Sequence, residues 1–410
     1  MDRASISTTR AALALALLLG LQPLTTDLYL PALPTIAREL QAPMAATQLT
    51  MSALILGFGL AQLAWGPVAD RFGRRPVLLI GLALYTTASV LCALAADIGV
   101  LILGRTLQGA CLAAMVVCGR AMVRDLYEPR DGAHVMSRGM TGLGLIAIGA
   151  PALGGLLTGL WGWRAPLAAV AAVGIGIGLF VWRFLPETLP RRNPQALRIG
   201  PLAAQARRVL GHPTFVAWAA LSAATYGGLF TILAASSFVY IGVLGLSPAA
   251  YGLAMATGSL SYLVGTVLCR RWLPRLGLAG TVRRGASFTL AGGLGMAALA
   301  LAGVQSVWAL VLPQALYTFG HGIHQPCGQT GAVGPFPQAA GVAAALAGCL
   351  LALTAFCVGL WLGQALDGTV RPLALGVAGW SVVTAGIAWT LVRRHGEASA
   401  VPAQAAGDVA

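Results

Sequence analysis

The chain contains no lysine, and charged residues of every kind make up only 9% of it. A soluble domain carries about 25%, so a water-exposed surface cannot be assembled from these side chains. Acidic residues number 12 against 26 arginines, leaving a formal net charge of +14. Cysteine is scarce and scattered. Cys92, Cys111, Cys118, Cys269, Cys327, Cys349 and Cys357 all fall singly inside apolar runs without metal-ligand spacing. They read as small apolar fillers and suggest neither a disulfide framework nor a zinc site. Glycine and proline, 53 and 22 residues, follow no triplet period, which excludes a collagen-like rod. These shortages also exclude a soluble enzyme, a disordered chain and, despite the basic balance, a nucleic-acid binder.

Apolar sequence is what the chain has in abundance: 58% of its 410 residues are hydrophobic, and the mean hydropathy is +0.80. The apolar stretches run for near twenty residues without strand-like alternation, which points to membrane-spanning helices rather than a barrel. Windows of about 19 residues predict twelve spans, at 10–36, 47–69, 76–96, 98–122, 134–160, 164–185, 213–243, 249–269, 284–303, 305–330, 337–364 and 371–392. The one long polar connection, 186–212, divides a six-span half at 1–185 from another at 213–392, and residues 393–410 form a small, polar tail. The run from Ala11 to Leu21 has the length of a signal-peptide core. Apolar character resumes at Leu28 and no polar domain follows, so it is read as a retained first span.

Arginine placement orients the chain. With twelve spans, 22 of the 26 arginines fall on one side of the membrane, and only Arg38, Arg164 and Arg371 on the other. The positive-inside rule makes the rich side, with both termini, cytoplasmic. The basic excess is therefore a topology signal facing lipid. Arg71-Phe72-Gly73 after the second span is echoed by Arg275-Leu276-Gly277 after the eighth, which favours a duplicated, pseudo-symmetric architecture.

One arginine and one carboxylate remain well inside spans: Arg105 and Asp27. Charges there are costly, and those that persist are candidates for function. At 1.5 Å per residue, Asp27 lies about 25 Å from the inner end of its span. Arg105 lies about 10 Å below the outer surface, so the two are expected near one level, where a shared polar site is open to them. A carboxyl in an apolar, partly wet cavity loses hydration of its charged form and can exchange a proton near neutral pH. Proton and substrate then compete for it, as antiport requires. The alternative role for Asp27 is to pin a helix broken by Pro23, Pro31 and Pro34; for Arg105 it is to bond carbonyls of neighbouring helices.

At the inner end of the second span, Gly66, Asp70, Arg71, Gly73, Arg74 and Arg75 combine a close-contact glycine, a turn glycine and donors for neighbouring carboxylates. Such a loop suits a conformational latch. This pattern, GPVADRFGRRP, resembles the signature loop of the major facilitator superfamily. Arg105, Gln108 and Gly109 are similar to that superfamily's fourth-helix motif, which implies a proton-coupling role for Arg105. Pro151, Gly154 and Gly155 resemble its fifth-helix antiporter motif, with Ala150 where the first glycine usually stands. Asp27-Leu28-Tyr29-Leu30-Pro31, with Gly320-His321-Gly322-Ile323-His324-Gln325-Pro326 and Pro335-Phe336-Pro337-Gln338, is similar to the bicyclomycin/chloramphenicol resistance (Bcr/CflA) branch.

The resemblance implies an all-α membrane protein of two pseudo-symmetric six-helix bundles that exchanges protons for small amphipathic drugs across the bacterial inner membrane. Asp27 would then be its proton site. A proton-coupled transporter of a metabolite such as an amino acid or nucleoside is the alternative, and a membrane-embedded enzyme or sensor a remote one. The expected partners are drug, protons and lipid, with no cofactor, metal or nucleic acid, and the chain is expected to be a monomer. Tyr29, Tyr226, Phe230, Tyr240 and Tyr317 are candidates to line an apolar substrate cavity. His321 and His324 share a helix face at i,i+3, and lacking a third ligand they suggest a packed or gating segment. Gly154-Gly155 and Gly227-Gly228 suggest close helix packing.

Overall fold

In lipid every backbone polar group must be satisfied internally, and the chain meets that demand with helices throughout. The computed structural model describes residues 8–396, with all side chains in that range except those of residues 129, 130 and 133. Arg3 and the tail from residue 397 onward lie outside the described residues.

The first half comprises α1 (Thr8–Asp27), α2 (Met44–Phe72), α3 (Arg74–Ala93), α4 (Ile98–Leu126), α5 (Pro129–Trp161) and α6 (Arg164–Phe184). The connecting segment carries a short helix, α7 (Ile199–Leu210), on which only Val209 is buried. The second half comprises α8 (Pro213–Ser237), α9 (Pro248–Leu301), α10 (Val307–Val333), α11 (Ala340–Ala365) and α12 (Arg371–Trp389), followed by α13 (Leu391–His395). The sequence predicts a loop between the eighth and ninth spans. Instead one helix reaches Leu276, breaks at Gly277, whose φ 65° and ψ −177° are not helical, and another starts at once, so the two arms of α9, 248–276 and 278–301, are two spans joined by a tight reversal. Among the described residues there are thus twelve spanning helices, six in each half. Ten segments qualify as spans by length and apolarity alone. The second arm of α9 is the eleventh, and α10 is the twelfth, its apolarity diluted by Gln314, His321, His324 and Gln325.

The sequence echo between the halves has a structural meaning. Gly73 ends α2 at φ 109° and Gly277 breaks α9 at φ 65°, conformations that side chains with a Cβ rarely adopt. Both glycines reverse the chain at its arginine-rich end.

Two packing features place the functional site. Helices α1 and α5 run side by side in the same direction: Gly139 lies against Leu15, Gly142 against Ala16 and Gly154 against Leu28. At the end remote from the arginines, both halves share one hydrophobic core, joining Leu33, Ile36, Met51 and Leu54 to Phe230, Tyr240, Leu362 and Leu373. Towards the arginine-rich end each half keeps its own core, one around Leu78, Leu112 and Met115 and the other around Phe215, Trp218 and Ile323. The halves are therefore sealed together at one end only.

Candidate functional site

Between the halves lies a cavity of about 230 Å³. Its walls come from α1, α2 and α5 on one side and α8, the first arm of α9, and α10 on the other. Met51, Ile55, Leu143, Leu229, Met255 and Leu263 make most of it apolar. Polar groups enter at Gln22, Thr26, Asp27, Tyr226, Ser259, Tyr262, Gln314, Thr318, His321 and Gln325. Among the described residues, Asp27 is the sole carboxylate on this wall and no arginine lines it.

Asp27 is the last residue of α1. Pro31, four residues on, has no N–H to bond the Asp27 carbonyl, and the chain tightens into a 3-10 turn at Leu30–Ala32. The carboxylate is thus held at a helix break. The Thr26 hydroxyl lies 2.7 Å from its Oδ1 as donor.

Arg105, fully buried on α4, occupies a different place. Its guanidinium donates to Gln108 Oε1 at 2.6 Å and to the Thr25 carbonyl at 3.1 Å. It also lies over the Tyr29 ring, 4.1 Å from the centroid. Gln108 passes the connection to Ser89 at 2.7 Å. Arg105 therefore grips the backbone of α1 from behind while Asp27 faces the cavity in front. Residues 25 and 27 point about 200° apart around a helix, so the two charges share a segment of α1 without sharing a pocket. Among the described residues the ion pairs are Arg74–Asp70, Arg74–Asp125 and Arg164–Glu39.

The five aromatic candidates separate in the same way, and only Tyr226 lines the cavity. The Tyr29 hydroxyl donates to Thr50 at 2.7 Å, Tyr240 to Gln314 at 3.1 Å and Tyr317 to the Thr225 carbonyl at 2.9 Å. Phe230 is wholly buried in the core shared by the halves. Hydroxyl groups drawn to internal acceptors turn three of these rings into the wall behind the cavity. The sequence reading missed Tyr262 and the amides Gln22, Gln314 and Gln325. A polar residue inside an apolar run, the cue that singled out Asp27, would have found the amides.

The latch residues form a compact unit within the first half. Arg74 reaches Asp70 at 2.6 Å and Asp125, at the end of α4, at 3.1 Å. Glu187, beyond α6, accepts from the backbone N–H groups of Arg74 at 2.9 Å and Arg75 at 3.3 Å. Arg75 itself donates to the Trp182 carbonyl at 2.7 Å. A Cβ on Gly73 would strike the Glu187 carboxylate. Arg71 lies 5.4 Å from the Phe72 ring centre, and the close helix contact expected at Gly66 is not made, since a Cβ there would meet only Val117, at 4.0 Å. In the fifth-span motif, Gly154 meets the backbone of Leu28 just past the end of α1, Gly155 meets Pro248 on α9, and the Pro151 carbonyl meets Gly252. Gly109 of the fourth-span motif meets the backbone of Leu54.

Residues 15–359 match the Major Facilitator Superfamily. The chain belongs to that superfamily. It is a multi-pass membrane transporter, not an enzyme. Multidrug resistance protein D of Escherichia coli is 31% identical over 338 residues, covering 82% of this chain and 84% of that protein. A chloramphenicol resistance protein of Pseudomonas aeruginosa is 30% identical over 80% of this chain and 78% of its own. A bicyclomycin resistance protein homolog of Haemophilus influenzae is 26% identical over 86% and 87%. Among solved structures, the xylose transporter of Escherichia coli in a partially occluded inward-open conformation aligns with a TM-score of 0.75. It does so at 15% identity, over 94% of this chain and 98% of that one, a likeness of fold. The transporter is thus distantly related to drug-resistance efflux proteins.

Proposed function

We propose that this transporter is a proton-coupled drug exporter of the bacterial inner membrane, of the Bcr/CflA branch, with both termini in the cytoplasm. Its substrates are small amphipathic molecules of the chloramphenicol or bicyclomycin type. The observation that carries the reading is Asp27, the one carboxylate among the described residues on a mostly apolar wall, seated at a break in α1. An ionised carboxylate accepts hydrogen bonds at both oxygens, whereas a protonated one gives up part of that capacity and becomes a donor. A drug's hydroxyl and amide groups and a proton therefore compete for Asp27. In the arrangement sealed away from the arginines, Asp27 loads drug from the cytoplasm. In the opposite arrangement, a proton from the outer side displaces the drug.

Arg105 acts as a positioning residue. By holding the Thr25 carbonyl it ties α1 to α4, so a change at Asp27 moves α1 against a fixed support. The relatives' names support the drug class, and the Pro151 and Gly155 contacts with α9 supply a seam between halves suited to alternating access.

The test uses everted vesicles with an acidic lumen. Adding chloramphenicol should alkalinise the lumen as protons leave in exchange, and Asp27→Asn should abolish the response. Acidification, or full exchange by Asp27→Asn, would overturn the reading.

A further inference from the structure

The cavity holds a second titratable group on the half opposite Asp27. His321 on α10 lines the wall, and its Nδ1 turns away from the cavity to lie 3.0 Å from the Thr225 hydroxyl on α8. The same hydroxyl is 3.4 Å from Nδ1 of His324, one turn further along α10. His324 Nε2 is 3.2 Å from the Val282 carbonyl on the second arm of α9. A carbonyl only accepts, so Nε2 carries a hydrogen, and in the neutral ring Nδ1 is bare. That bare nitrogen takes its hydrogen bond from Thr225 or from Thr289, 3.5 Å away.

Thr225 has one hydroxyl hydrogen for two rings. With it pointed at His324, the His321 Nδ1–H donates to Thr225. With it pointed at His321, that Nδ1 must be bare and the His321 proton must sit on Nε2. No protein atom among the described residues bonds His321 Nε2, and the residue lines the cavity while its Nδ1 is engaged by Thr225, which leaves Nε2 to cavity water. Two glycines make room for the arrangement: a Cβ on Gly285 would come within 3.1 Å of His324 Nε2, and one on Gly320 would strike the Thr289 hydroxyl. A merely packed segment does not require two imidazoles to share one hydroxyl.

We propose that His321, Thr225 and His324 form a second proton-binding site of the transport cavity, loaded from cavity water. His321 Nε2 takes the proton, the His321 Nδ1–H passes to Thr225 Oγ1, and the hydrogen that Thr225 carried passes to His324 Nδ1. His321 is left neutral in its other tautomer. His324 becomes an imidazolium whose two N–H groups point at the Val282 carbonyl and the Thr225 oxygen. The surrounding elements supply few competing charges. The Tyr262 ring on α9 lies tilted 5.7 Å from the His321 ring, Tyr226 lines the wall on α8, Asp27 shares the cavity from α1, and no arginine among the described residues lines it. The role as a transport proton site rests on the proton-coupled reading above, whereas the coupling of the two rings does not.

The experiment follows imidazole nitrogen signals by NMR in the full-length protein labelled with ¹⁵N-histidine, with no drug present. In the wild type, His321 and His324 should change state over one shared pH interval, with His324 holding hydrogen on Nε2 throughout. Thr225→Val should split that interval in two, and Thr225→Ser should restore it. His321→Gln should remove the proton uptake at His324. Identical titrations in the wild type and Thr225→Val, or unaltered uptake at His324 in His321→Gln, would overturn the proposal. Asp27→Asn should leave the shared interval intact, so failure of drug–proton exchange and failure of the histidine relay are read separately.

Discussion

Arg74 carries a full charge on a side chain only 9% exposed, and what it touches decides how much each partner matters. Asp70 is 46% exposed and Asp125 16%. An exposed ion pair contributes at most about 1 kcal/mol, whereas a hydrogen bond to a buried charge contributes about 1.5–3 kcal/mol. Asp125→Ala should therefore destabilise the transporter by about 1–3 kcal/mol in denaturant unfolding, and Asp70→Ala by less than about 1 kcal/mol. Equal losses would mean that burial does not set the strength of this latch. The ranking was hidden in the sequence, where Asp70 stands in the motif beside Arg74 while Asp125 and Glu187 lie 51 and 113 residues away. A motif shows the residues that are neighbours along the chain, and folding brings in the rest. Asp27 was legible because a charge in an apolar run is conspicuous by itself. Its separation from Arg105 was not, because depth along a helix can be counted from sequence while the direction a residue faces depends on its neighbours.

Within α5, four of its eight glycines show two different situations. A Cβ on Gly154 would meet the Leu28 carbonyl carbon at 2.8 Å, and one on Gly155 would meet the Ala249 Cα at 3.1 Å; Gly149 and Gly159 have nothing within 4 Å. Gly154 thus allows α5 to approach α1 inside its own half, and Gly155 allows it to approach α9 in the other. Backbone cannot yield as a flexible side chain can, so Gly154→Ala should cost about 1–3 kcal/mol by overpacking. Gly159→Ala, free of contacts in a helix interior, should be neutral or stabilising by up to about 1 kcal/mol. Thermal unfolding of the purified variants distinguishes them, and a Gly159→Ala loss as large as that of Gly154→Ala would refute the contact argument. Close packing at the paired glycines was legible from their spacing, but which neighbour each admits was not. The break in α9 was half visible in the same way. The repeated Arg-x-Gly marked where the chain reverses, but not that helix would run up to the residue before Gly277 and resume directly after it, with one non-helical glycine as the connection.

At the scale of the whole molecule, a transporter that alternates must break its seal at one end and remake it at the other. Here the seal is the core shared by the two halves at the arginine-poor end, reinforced by Gln48, whose side-chain amide donates to the Ala234 carbonyl across the halves at 2.8 Å. The start of α2 and the end of α11 meet beside it: a Cβ on Gly363 would lie 3.2 Å from that of Ala45 and 2.8 Å from its Cα, so the two helices must part slightly to admit one. Bridged cysteines have Cβ atoms about 3.5–4.5 Å apart, within a small adjustment of this spacing. The double variant Ala45→Cys with Gly363→Cys should therefore oxidise readily to a disulfide, and the bond should hold the seal shut. Transport should stop on oxidation and return on reduction, while each single variant should keep working under both conditions, which controls for the native Cys269–Cys327 contact at 3.5 Å. Transport that continues with the bridge fully formed would mean that this end never opens, and the cavity would then need another route to the outer side.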